Sequence, residues 1–85
     1  MAKKIMIVED SNTIRQQVKF TLSKKGFEVI EAKDGVEGLE MLKAHADVAV
    51  IISDVNMPNM DGLTMLENIK AQGHSVPIMM LTTEG

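Results

Sequence analysis

No cysteine, tryptophan or tyrosine occurs in this sequence, and phenylalanine and proline are each present only twice. The absence of cysteine excludes disulfides and thiolate chemistry, and it suits a chain that works in the cytoplasm. Long apolar runs are also missing. Met1-Ala2-Lys3-Lys4 leads directly into Ile5-Met6-Ile7-Val8, which is too short for a signal peptide or a membrane span. Positive charge is not in excess either. A net charge of −3 gives no reason to expect direct contact with nucleic acid. What remains is ordinary for a globular protein: 45% apolar and 25% charged residues in 85 positions, enough for one small domain over 1–85. There is no internal repeat, low-complexity segment or interdomain linker.

Four apolar runs alternate with amphipathic segments. Ile5–Val8 reads as a strand buried on both faces and stops at Glu9-Asp10. Ser11 or Asn12 can cap a helix with a core stripe of Ile14, Val18 and Leu22, closed by Lys24-Lys25-Gly26. Phe27–Glu31 is interrupted by charge and reads as an edge strand. Asp34 with Glu37 forms a capping-box pattern before a second helix, whose stripe is Val36, Leu39 and Leu42; Gly35 and Gly38 should weaken its start. Val48–Ile52 is the best candidate for a central strand. After the Pro58 loop, Asp61 caps a third helix carrying Leu63, Leu66 and Ile69, with Gly73 at its end. Val76–Leu81 is the fourth strand, with Pro77 tolerable only near its start. The order βαβαβαβ predicts an α/β fold with a parallel sheet, right-handed crossovers and helices on both faces.

In such a sheet, residues that end different strands share one edge. If the first and third strands are neighbours, Glu9, Asp10 and Asp54 converge there. Carboxylates brought that close repel one another, and a compact divalent cation relieves the repulsion. Mg²⁺ prefers oxygen ligands, one or two carboxylates and several retained waters, which describes this set. A metal beside a carboxylate with open water positions invites a phosphate. His45 and His74 fall in loop-like segments without a second ligand and read as solvated. The methionines read as core filling, Met41 and Met65 on helices and Met79 and Met80 in a strand.

These residues resemble the receiver domain of response regulators, the phospho-acceptor module of two-component signalling, and chemotaxis receivers in particular. The matching pieces are Ile7-Val8-Glu9-Asp10, Asp34-Gly35, Asp54-Val55-Asn56-Met57-Pro58, Asp61-Gly62 and Leu81-Thr82. The resemblance implies the flavodoxin-like, doubly wound strand order 2-1-3-4-5. It implies that Asp54 accepts phosphoryl from a histidine kinase. Asp10 and Asp54 would bind Mg²⁺ directly with the Asn56 carbonyl, and Glu9 would act through water. Thr82 would contact the phosphoryl group and carry the conformational switch, while Asn56 and Glu84 would tune dephosphorylation. Thr83 stands where the family has a small residue, and a structural role suits it. Any catalysis would be confined to the domain's own phosphorylation and dephosphorylation.

The resemblance also sets an expectation of incompleteness. The sequence stops after the fourth strand, so the fifth strand with its phosphoryl-pairing Lys and the last two helices have no counterpart. The lysines present lie away from the expected site edge. The fourth strand should then offer an open edge that pairs with a second copy, swaps elements or takes up a complementary fragment. Two rival readings follow. One is a truncated or engineered half-fold whose main property is self-assembly, with an inactive site. The other, a Mg²⁺-dependent phosphohydrolase, needs a second Asp two residues after the nucleophile, and Asn56 stands there.

Overall fold

The structure is a computed structural model describing residues 3–55 and 60–81. Strand β1 (Lys4–Val8) is followed by helix α1 (Asn12–Lys24), β2 (Glu28–Ala32) and α2 (Gly35–Ala44), then by β3 (Val48–Asp54), α3 (Gly62–Ala71) and β4 (Ile78–Leu81). The strands form one parallel sheet in the order β2-β1-β3-β4. This is the 2-1-3-4 portion of the flavodoxin-like order, with no fifth strand among the described residues. Because right-handed crossovers run leftward from β1 and rightward from β2 and β3, α1 covers one face and α2 and α3 the other. No helix among the described residues is long and apolar enough to cross a membrane.

Local chemistry sets the helix ends as the sequence predicts. Ser11, Asp34 and Asp61 are the N-caps, their side chains accepting from the amides of Ile14, Glu37 and Thr64. Glu37 reaches back to the amide of Lys33 at 3.1 Å, one residue before the position a capping box serves. Gly26 and Gly73 adopt the positive φ, +92° and +86°, that ends α1 and α3. The fourth strand is shorter than expected, since Val76 and Pro77 precede it. The Pro77 carbonyl still accepts from Ile51 at 2.9 Å, so the missing N–H costs the ladder nothing on that side.

The buried core gathers Met6 and Val8 of β1, Ile30 and Ala32 of β2, Val48 and Ile51 of β3, Leu42 of α2, and Met65 and Ile69 of α3. The expected helix stripes need correction. Val36 is 42% exposed and Leu63 56%, whereas Gly35, Gly38 and Leu42 face inward on α2, and Gly62, Met65 and Ile69 on α3. The reason is close approach. A Cβ at Gly38 would meet the Met65 sulfur at 2.9 Å and the Val8 side chain at 3.3 Å, so this glycine lets α2 settle against both β1 and α3. Helix α1 buries none of its residues, and Ile14 is 36% exposed. At the outer edge of β4, Met79 is 55% exposed, so it does not fill the core.

Candidate functional site

Register builds the site. Val8 of β1 pairs with Ser53 of β3, so the residues that follow them, Glu9 and Asp54, meet across the carboxyl edge of the sheet. This lies between the two strands where the chain changes winding direction, the place where open α/β sheets bind ligands. Glu9, Asp10 and Asp54 each offer a carboxylate oxygen, and these atoms all lie within 4.8 Å of one another. Glu9 and Asp54 are buried, while Asp10 is exposed at the rim.

Each carboxylate has a structural reason for its place. Asp54 is the last residue of β3, and the buried Ser53 hydroxyl donates to its carbonyl at 2.9 Å. Across the sheet Asp54 pairs with Leu81, the last residue of β4. The chain leaves Val55 and returns at Gly62, whose amide donates to the Val55 carbonyl at 2.9 Å and closes the loop. Glu9 extends the β1–β2 ladder by donating its amide to Ala32 at 3.0 Å, and its carboxylate accepts from the Ser11 amide at 3.4 Å. That amide belongs to the amino end of α1, where the helix dipole favours negative charge.

Crowding changes the protonation of one member. Burial pushes the Glu9 carboxyl up from its ordinary 4.5 to about 7, and a hydrogen bond with Asp10 and the charge of Asp54 add to the rise. The Ser11 amide pulls in the opposite direction. A carboxyl that must hold a proton near neutrality signals a site short of positive charge. A divalent cation would supply that charge, and Glu9, Asp10 and Asp54 are the residues that could hold it. The donor set, oxygen only and open to water at Asp10, fits Mg²⁺ better than a softer metal.

Among the described residues, this is the one cluster of His, Cys, Asp and Glu side chains able to hold a metal. His45 caps the end of α2 through its amide and His74 follows α3, as expected for residues outside a site. Asn56, Thr82 and Glu84 lie outside the described residues. Two lysines are engaged in ion pairs with other carboxylates: Lys4 with Asp47 at 3.1 Å and Lys19 with Glu31 at 2.9 Å. One cation does reach this edge and was missed by the sequence reading. Arg15 Nη1 donates to the Glu9 carbonyl at 2.7 Å. Only its spacing from the acidic pair, one helical turn into α1, could have drawn notice to it.

An α/β sheet with an acidic triad at its β1/β3 crevice defines the receiver class of signalling domains. The response regulator receiver domain family model matches residues 5–85, and the chain belongs to that family. It is 47% identical to the chemotaxis protein CheY1 of Helicobacter pylori over an alignment of 85 residues, covering 96% of this chain and 68% of that protein. The structure of CheY4 from Vibrio cholerae superposes with a TM-score of 0.91 at 44% identity, covering 100% of this chain and 72% of that one. The response regulator TrrA of Thermotoga maritima, solved in complex with Mg(2+)-BeF, gives 0.88 at 29% identity, covering 98% and 71%. The chain is thus a CheY-like receiver spanning about two thirds of the length of its relatives.

Proposed function

We propose that this domain accepts a phosphoryl group on Asp54 from a histidine kinase, with Mg²⁺ bound at Asp10 and Asp54, as a cytoplasmic step in chemotaxis-type signalling. The convergence of Glu9, Asp10 and Asp54 within 4.8 Å carries this reading. An Asp54 oxygen attacks phosphorus, the bond from phosphorus to the donor's leaving group breaks, and an aspartyl phosphate results. Mg²⁺ would neutralise the transferring oxygens and the carboxylates together. Glu9 would give up its proton to a bound cation's field and would hold that cation through water. The Asn56 carbonyl would complete the ligand set, Thr82 would take a phosphoryl oxygen and convey the switch, and Asn56 and Glu84 would set the lifetime of the phosphate. The relative solved with Mg(2+)-BeF lends support, since that group is bound by a domain of the same fold.

The test is mass spectrometry after incubation with acetyl phosphate and Mg²⁺. One added phosphoryl group, absent in Asp54→Asn and absent with chelator, supports the reading; an unmodified wild-type chain under conditions that label a full-length receiver counts against it. The rival reading, a self-assembling half-fold, draws nothing from the family match. Exposed Met79 and Leu81 along β4 are what speak for it, and a monomer by light scattering removes it.

A further inference from the structure

Arg15 has no task in the function proposed above, yet its guanidinium joins three parts of the fold. Nη1 donates to the Glu9 carbonyl at 2.7 Å, Nη2 to Asn12 Oδ1 at 2.8 Å, and Nε to Glu31 Oε1 at 3.1 Å. The side chain is only 15% exposed. Its β2 partner is itself fixed, because Glu31 also accepts from Gln16 at 2.6 Å and Lys19 at 2.9 Å. Lys19 first, and then Arg15 and Gln16, hold the Glu31 carboxyl below its usual range, so it stays an anion that grips the guanidinium.

The Glu9 carbonyl belongs to the planar peptide that joins Glu9 to Asp10. The Glu9 amide is tied to Ala32 of β2 at 3.0 Å and its carbonyl to Arg15. Both neighbouring peptide planes are therefore held, and the second one sets the direction in which Asp10 leaves the strand. The donors form a rigid planar fork that a lysine ammonium cannot imitate.

We propose that Arg15 is a positioning residue for the divalent-cation site: by holding the Glu9–Asp10 peptide plane it keeps the Asp10 carboxylate turned toward Asp54. The inference rests on reading the carboxylates as a Mg²⁺ site, and its test separates the two. Mg²⁺ binding to the 85-residue chain is measured by isothermal titration calorimetry for wild type, Arg15→Gln, Arg15→Lys and Lys19→Gln. Removing the groups that orient metal ligands typically weakens affinity about 10–100-fold. Both Arg15 variants should lose about 10-fold. Lys19→Gln, which loses a charge and a bond to Glu31 but does not touch the Glu9 carbonyl, should stay within about 2-fold. Melting of the metal-free variants is followed in parallel, so that a fall in affinity beyond the Lys19→Gln value at comparable stability isolates positioning from folding. If wild type fails to bind Mg²⁺, the site reading fails. If wild type binds and Arg15→Gln matches it, the positioning role is overturned. Should Arg15→Gln not fold, Arg15→Lys decides, and a wild-type affinity there overturns the fork argument.

Discussion

A carbon added at Gly62 would stand 2.6 Å from the carbonyl oxygen of Asp54 and 3.3 Å from the Ser53 hydroxyl. The first residue of α3 therefore presses on the backbone that presents Asp54, and glycine is what allows it. Gly62→Ala must push α3 or the end of β3 aside. Overpacking of this kind costs about 1–3 kcal/mol. For a domain of this size that is a fall in melting temperature of about 4–8 °C per kcal/mol, read by circular dichroism. Labelling of Asp54 by acetyl phosphate should slow in the folded variant, because the carboxylate moves with its backbone.

The protonation of Glu9 gives the metal-free protein a pH dependence. Its carboxyl titrates near 7 in the folded state and at about 4.5 when unfolded, so between these values the folded chain binds more protons. Stability from this group is complete below about pH 4.5 and is lost as pH rises through 7. At about 1.4 kcal/mol per pH unit the loss is at most about 3.5 kcal/mol. Water at the rim brings the expected value to about 1–2 kcal/mol. Urea unfolding at pH 5 and pH 7.5 measures it. Glu9→Gln should flatten the slope, and saturating Mg²⁺ should restore stability at the higher pH.

Two of the helix caps differ in depth, and their removal should differ accordingly. Asp61 is exposed and accepts from Thr64 at 2.7 Å, so Asp61→Ala should cost about 1 kcal/mol. Asp34 is buried, accepts from Glu37 at 2.8 Å, and starts the helix that packs on α3. Asp34→Ala should cost nearer 2 kcal/mol, the top of the range for caps. Urea midpoints of the two variants, measured side by side, check the order.

Met65 is fully buried and its sulfur fills the space that the missing side chain of Gly38 leaves. Met65→Ala opens a cavity between α2, α3 and β1, at a cost of about 2–5 kcal/mol. Gly38→Ala in the Met65→Ala background should recover part of it, since the added methyl then has room. Equilibrium unfolding of the single and double variants forms the cycle that tests this.

The sheet and its acidic edge were legible because the two central strands, β1 and β3, are apolar runs that end in acidic residues. Val8-Glu9 and Ser53-Asp54 mark that boundary, and the order of strands and helices does the rest. The helix faces were less legible. Counting Val36 and Leu63 as core ignored how far the N-caps rotate each helix and how closely Gly35, Gly38 and Gly62 allow it to approach. Apolar periodicity does not register a glycine as a packing residue, yet here glycines mark the inner faces. Arg15 was invisible for another reason. Two of its three partners, the Glu9 carbonyl and the Glu31 carboxylate 16 positions away, leave no local pattern, and the third, Asn12, is an ordinary neighbour one helical turn back.

Helix α1 buries none of its residues fully, and its apolar Val18 and Leu22 are only half-buried. Its amides should therefore exchange with solvent through local opening, well before those of α2 and α3, which require the core to separate. One of the Arg15 bonds that tether α1 ends on the peptide between Glu9 and Asp10, so opening of the helix should also loosen the carboxylate pocket. A cation that binds only the closed pocket would slow exchange along the first turns of α1, a protection pattern reaching away from the ligands into a helix that never touches the metal.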